Sequence, residues 1–273
     1  MTEAPGVSPT WYGDAPPPAP RRLGAWDWAR VLRRGVPFAL VTFGALGLSL
    51  LLRAVERPLC GGRRPVTARL TQGVCVAAFG WMGLRRRVRG QPMSGPGLIV
   101  ANHASWIDIF ALNACARVVF VAKEEVAGWP GIGWLARATG TAFIRRARRD
   151  AGRQAEMLRA RVAAGEQLVV FPEGTSSDGR RVLPFRPALF AAAVPPARVQ
   201  PVTLRYGAPE GADPRVYGWW GDMGFAAHLL QVLALPAHGA VEVLFHPPLD
   251  PAAFPSRKAL AAEAERIVRD GLA

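Results

Sequence analysis

The sequence predicts an α/β fold: a mixed, largely parallel sheet flanked by helices, with an N-terminal membrane-associated helical element. Three observations carry that expectation. From about residue 95, short apolar runs alternate with amphipathic helical stretches, the pattern of strands joined by helical crossovers. Upstream, Gly35 to Leu52 is an uncharged run of eighteen residues, at the lower edge of what crosses a bilayer core as a helix. Basic residues flank both that run and a shorter one, Gly73 to Leu84.

In chain order, residues 1–22 hold the Pro-rich Ala15-Pro-Pro-Pro-Ala-Pro20 and little apolar periodicity, and they read as a disordered tail. Residues 23–90 read as the membrane-associated segment. Its arginines suit anionic headgroups, so the apolar pair is expected to dip into or lie on one leaflet, with a single spanning helix as the rival and a buried core helix as the plain alternative. Residues 91–273 read as the globular domain. Strands are expected at 97–101, 118–122, 141–144, 167–171, 199–205 and 241–245. Helices are expected from Ile107, at 132–138, at 151–164, at about 187–194 and from Ser256. No internal repeat interrupts the pattern.

Composition narrows the partners. The formal net charge is +14, and of 34 basic residues only Lys123 and Lys258 are lysines. Guanidinium groups pair bidentately with phosphate and carboxylate. A basic chain can bind nucleic acid or an anionic membrane, and the nine tryptophans with the apolar runs favour the membrane. Cys60, Cys75 and Cys115 show neither metal-ligand spacing nor obvious pairing, which suits a reducing compartment.

Three stretches carry chemistry. In Val100-Ala-Asn-His-Ala-Ser-Trp-Ile-Asp-Ile-Phe110, His103 falls where a strand ends and a helix begins. On a regular helix, positions five apart lie about 140° apart, so His103 and Asp108 could not pair if both were helical. With His103 just outside the helix and Asp108 in its first turn, the acid reaches back to one ring nitrogen and leaves the other free to take a proton. The alternative is that Ser105 and Asp108 merely cap the helix, with His103 a bystander. The strand ending at Phe171 runs into Pro172-Glu-Gly-Thr-Ser-Ser-Asp-Gly179, where Glu173, Gly174, Thr175 and Ser176 offer acceptors, hydroxyls and close backbone approach. A plain turn is the competing reading. Gly140-Thr-Ala-Phe-Ile-Arg-Arg146 ends a short strand in paired arginines, which form either an anion clamp or a solvated face.

Asn102-His103 with Asp108, then Gly140–Arg146, Phe171–Thr175 and Val199-Gln-Pro-Val202, occurring in that order, resemble the glycerolipid acyltransferase family, which includes the 1-acylglycerol-3-phosphate acyltransferases. The resemblance covers roughly residues 60 to 250. It implies an enzyme in which His103 is the general base on a lysolipid hydroxyl and Asp108 its support. Arg146, Glu173, Gly174, Thr175 and Ser176 would lie at the acceptor headgroup, and backbone amides after His103 are candidate oxyanion donors. The implied donor is acyl-CoA or acyl carrier protein, with no cofactor and no metal. Implied partners are the lysolipid acceptor and anionic membrane lipids, with no nucleic acid expected. The implied place is the inner membrane, with the catalytic domain facing the cytoplasm. The expected acceptor is 1-acylglycerol-3-phosphate, giving phosphatidic acid. Many phosphatidate-forming members, however, carry an arginine directly after Glu-Gly-Thr, where this chain has Ser176; either Arg180, Arg181 or Arg186 supplies the missing phosphate donor, or the acceptor lacks phosphate. Gly174–Gly179 is similar to members that acylate lyso-ornithine lipid, whose acceptor lacks phosphate. Trp219–Gly224 and the apolar run to Leu235 lie outside the shared blocks and read either as core packing or as an acceptor contact. A non-catalytic basic lipid- or nucleic-acid-binding protein is the rival of another class; it would need neither His103 nor Asp108.

Overall fold

A computed structural model describes residues 10–145 and 148–273. Seven strands form one sheet: β1 (Arg85–Arg89), β2 (Gly97–Ala101), β3 (Val119–Lys123), β4 (Ala142–Ile144), β5 (Gln167–Val170), β6 (Arg198–Gly207) and β7 (Ala240–Phe245). Their spatial order is β1-β7-β6-β2-β5-β3-β4. β6 and β7 pair antiparallel, and every other neighbouring pair is parallel. The expected mixed, largely parallel sheet is therefore present.

The central strands are largely apolar because both faces are covered; Gln200 and Thr203 of β6 are buried polar exceptions. Successive side chains alternate between two cores. Leu98, Val100, Leu168, Val170 and Val199 pack against Leu158 and Val162 of α5 (Ala151–Ala163) and Leu260, Ala264 and Val268 of α7 (Arg257–Leu272). Ile99, Ala101, Val169, Val202 and Leu204 join the opposite core. There they meet α1 (Ala25–Cys60), α2 (Thr67–Met82), α3 (Ile107–Cys115) and α6 (Phe225–Ala234). The remaining helix, α4 (Ile132–Ala138), touches α1.

The 36 residues of α1 make a helix about 54 Å long at about 1.5 Å per residue. Its most apolar eighteen-residue window has a mean hydropathy of 2.0, with only 17% of the window buried. Leu40, Phe43, Leu48, Leu50, Leu51 and Val55 face outward. The N-terminal part is fastened instead: the Arg34 guanidinium donates to the carbonyls of Leu233 (2.8 Å) and Leu235 (2.6 Å), at the end of α6.

Three elements differ from expectation. β1 was not foreseen, because Arg85-Arg-Arg-Val-Arg89 has no apolar alternation; it is an edge strand that pairs only with β7, with Arg86 half-buried against Cys115 and Arg89 paired with Glu242 (2.6 Å). The helix expected at 187–194 is a short 3-10 turn, Pro187–Phe190. Val194 precedes Pro195, and a residue before proline is pushed out of the helical region. Residues 10–24 form no helix or strand, yet 10–22 do not behave as the expected disordered tail. The Trp11 ring meets Trp220 at 6.1 Å, Arg215 donates to the Pro16 carbonyl (3.1 Å) and Gln231 donates to the Arg21 carbonyl (2.9 Å). The Pro-rich composition hid two aromatic anchors, Trp11 and Tyr12.

Candidate active site

The parallel strands β2 and β5 end at the same edge of the sheet, where α/β folds place ligands, and each delivers one chemical loop. After β2, Asn102 is fully buried and bonds the β6 backbone twice. Its amide donates to the Leu204 carbonyl (2.9 Å), and its carbonyl accepts from the Leu204 amide (2.8 Å). That clamp holds the chain extended to its last residue before His103. The helix then begins only at Ile107, so His103 stands outside it and Asp108 lies in its first turn.

The acid reaches back. His103 Nδ1 and Asp108 Oδ2 are 2.7 Å apart. The same oxygen accepts the amides of Ala104 (2.8 Å) and Ser105 (2.9 Å), and the Tyr206 hydroxyl donates to Oδ1. Pairing and capping are thus both true of Asp108: one carboxylate secures the helix start and orients the ring. With Asp108 fully buried and acting as acceptor, Nδ1 carries the proton and Nε2 presents its lone pair. Nε2 has no hydrogen-bond partner among the described residues, and the His103 side chain is 20% exposed. Phe171 stacks on the imidazole with ring centres 4.1 Å apart and planes 15° apart, fixing its tilt. Burial and the Asp108 charge push the Tyr206 phenol well above its ordinary range, so it remains a donor.

The loop after β5 supports the histidine from beneath. Glu173 Oε1 accepts the His103 amide (3.0 Å), and the His103 carbonyl accepts the Ser177 amide (2.8 Å). Glu173 is only 2% exposed. Burial raises its carboxyl well above the usual range, against the pull of the His103 amide and, in looser geometry, the Leu183 amide; Oε2 is buried without a partner among the described residues. Gly174 sits at φ 75°, a left-handed turn that glycine adopts without strain. Thr175 Oγ1 receives the Trp11 amide at 3.4 Å, and the Ser176 hydroxyl donates to the Trp219 carbonyl. Trp219 in turn donates its amide to the Ala104 carbonyl (2.7 Å), so the segment outside the shared blocks closes over both loops. Arg146 lies outside the described residues.

Some expectations about the amides change. Those of Ala104 and Ser105 are taken by Asp108, and that of Ile107 by Ser105 Oγ (3.3 Å), so these three are not open oxyanion donors. Tyr206 was missed although a signal existed. Val202, Leu204 and Tyr206 alternate onto one face of β6, but the strand was expected to stop at Arg205, one residue short. The His103 pattern also does not extend to His228. Burial depresses that imidazole to about 4, and it bonds the Trp106 indole (3.0 Å) inside the core.

A buried carboxylate, an oriented imidazole with one open nitrogen and a loop-lined edge of a largely parallel sheet are the arrangement that general-base chemistry needs. Comparison with known proteins gives the class. The Acyltransferase family model matches residues 85–205. The chain is 53% identical over 271 residues to a lyso-ornithine lipid O-acyltransferase of Rhodobacter capsulatus, covering 97% of each chain. It is 40% identical over 111 residues to a 1-acyl-sn-glycerol-3-phosphate acyltransferase of Neisseria meningitidis, covering 40% of this chain and 44% of that one. Among solved structures, the 1-acyl-sn-glycerophosphate acyltransferase PlsC of Thermotoga maritima matches with a TM-score of 0.65 at 25% identity, over 90% of this chain and 94% of that one. The protein is an O-acyltransferase of lysolipids. It belongs to the glycerolipid acyltransferase family.

Proposed function

We propose that this enzyme acylates the free hydroxyl of lyso-ornithine lipid, using an acyl thioester of coenzyme A or acyl carrier protein, at the cytoplasmic face of the inner membrane. The observation that carries the chemistry is the open Nε2 of an imidazole locked at Nδ1 by Asp108. His103 takes the proton of the acceptor hydroxyl as its oxygen attacks the thioester carbonyl. The new ester C–O bond forms, the C–S bond breaks, and the proton passes from His103 to the departing thiolate. Asp108 stabilises the transient imidazolium. As written, the reaction requires neither metal nor bound cofactor.

Two observations support the ornithine acceptor over 1-acylglycerol-3-phosphate. The relative from Rhodobacter capsulatus, matched across 97% of both chains, carries the lyso-ornithine name. The residue after Glu173-Gly174-Thr175 is Ser176, whose hydroxyl is spent on the Trp219 carbonyl, so no guanidinium stands there to pair with phosphate. Glu173, Gly174 and Ser176 act on the acceptor by shaping the loop under His103, and Thr175 and Arg146 contribute to headgroup binding. The outward apolar residues of α1, with Val76 and Trp81 of α2, support membrane association and delivery of the lipid from the bilayer.

The test is acyl transfer by purified protein in detergent, with labelled acyl-CoA or acyl carrier protein and a panel of lysolipids. Wild type is expected to acylate lyso-ornithine lipid and His103→Ala to lose about 100-fold or more in kcat. Equal rates for His103→Ala would defeat the mechanism, whereas transfer only to 1-acylglycerol-3-phosphate would defeat the acceptor.

A further inference from the structure

Beside the Gly174–Gly179 loop lies a cleft of about 390 Å³ lined by Asp14, Ala15, Asp178, Arg180, Arg181 and Arg215. None of the four blocks that carry the family resemblance includes these residues. The cleft adjoins the chemistry through covalent geometry: Ser177, whose amide holds the His103 carbonyl at 2.8 Å, is the residue before Asp178. A Cβ added at Gly179 would meet Ala104 Cβ at 3.2 Å, so the cleft loop and the histidine loop are in direct contact.

Its charges are mixed. Asp178 is buried and accepts the Arg180 amide (3.1 Å) while pairing with Arg181 (3.3 Å). Asp14, on the N-terminal segment, pairs with Arg181 but has a side chain 80% exposed. Arg215 is held in a fork by Asp213 and by the Pro16 carbonyl. Arg180 is exposed, and among the described residues its guanidinium makes no salt bridge, although its charge helps to lower the Asp213 carboxyl. Exposed pairs such as Asp14–Arg181 contribute about 0–1 kcal/mol, so a ligand charge replaces one member with little loss.

We infer that this cleft is the acceptor headgroup site and that it is built for a zwitterion, with Arg180 taking a carboxylate and Asp14 an ammonium. An ornithine amidated at its α-nitrogen presents those two charges. A phosphate monoester would meet the guanidiniums of Arg180, Arg181 and Arg215 but would leave Asp14 without a ligand cation, so the discrimination between the two headgroups rests on Asp14. The N-terminal segment is therefore a specificity element: Trp11, under the Arg181 guanidinium (5.1 Å) and tilted 49° against Trp220, sets Asp14 at the cleft. This inference rests on the ornithine reading above and specifies its recognition.

The probes are short-chain Nα-acylornithine, N-acylputrescine (no carboxylate) and N-acylnorvaline (no ammonium), titrated calorimetrically into the full chain in detergent. Wild type is expected to bind Nα-acylornithine about tenfold more tightly than either truncated probe. Asp14→Asn should abolish the preference over N-acylnorvaline alone, and Arg180→Gln the preference over N-acylputrescine alone; both sites are exposed, so the variants fold. In acyl transfer, the same variants should raise KM for lyso-ornithine lipid about tenfold while leaving KM for the donor unchanged. Equal binding of all three probes by wild type, or unchanged discrimination in both variants, would overturn the site. If the probes discriminate as expected but acyl transfer goes only to 1-acylglycerol-3-phosphate, the cleft binds a zwitterion but is not the acceptor headgroup site, and the ornithine reading fails with it.

Discussion

Asp108 gathers four donors on two oxygens, and this explains why neither its charge nor its orientation is negotiable. Asp108→Asn places an NH2 group against donors and disturbs the tautomer of His103; kcat is expected to fall about 100- to 10,000-fold in the transfer assay. Tyr206→Phe leaves Oδ1 buried without its donor. The expected result is a loss of about 1–3 kcal/mol in stability, read as a lower melting temperature, and a reduced kcat with acceptor KM unchanged. Glu173 separates a support role from a headgroup role. Because burial raises its pKa, its contribution to stability is full below the usual value of about 4.3 and is lost as pH rises through its folded value. Glu173→Gln keeps an acceptor for the His103 amide and should retain activity, with a melting temperature that falls less than wild type as pH rises. Glu173→Ala should lose kcat. A rise in acceptor KM for both variants, with kcat intact, would instead point to headgroup contact. At this scale the residues were legible and their partners were not: His103 and Asp108 stood out by spacing, whereas Tyr206 lies 98 positions from the acid it serves.

At the scale of elements, the site depends on where helices begin and end. α3 starts late enough to leave His103 in a loop, and Asn102, hydrogen-bonded to β6, fixes that boundary. α6 is finished by a residue from another helix: Arg34 of α1 occupies carbonyls at its end that would otherwise have no partner. Arg34→Met is therefore expected to lower stability by about 1–3 kcal/mol and to loosen the N-terminal end of α1 from α6, visible as faster amide hydrogen exchange in both. The core strands β2 and β5 were readable because double-sided burial leaves the apolar runs Leu98–Ala101 and Leu168–Val170, and β6 was readable from Val199, Val202 and Leu204 between polar positions. β1 was not, since an edge strand is defined by its partner rather than by its own side chains.

Across the whole molecule, one end of α1 is bound to the domain and its apolar middle is largely uncovered. If that surface meets a bilayer, high salt should leave the protein in the membrane fraction and detergent should release it; complete release by carbonate would contradict an embedded helix. The sequence by itself determined the layered α/β class, the order of the motif blocks, the apolar N-terminal element and the place of His103 and Asp108 at a strand-to-helix boundary, because periodicity, charge and short-range spacing are local properties. Only the tertiary structure decided that Glu173 supports His103 from below, that Tyr206 completes Asp108, and that residues 10–22 follow the domain surface to bring Asp14 beside Arg181. Those outcomes follow from strand order and from the closing of loops distant in sequence, contacts that no local pattern encodes.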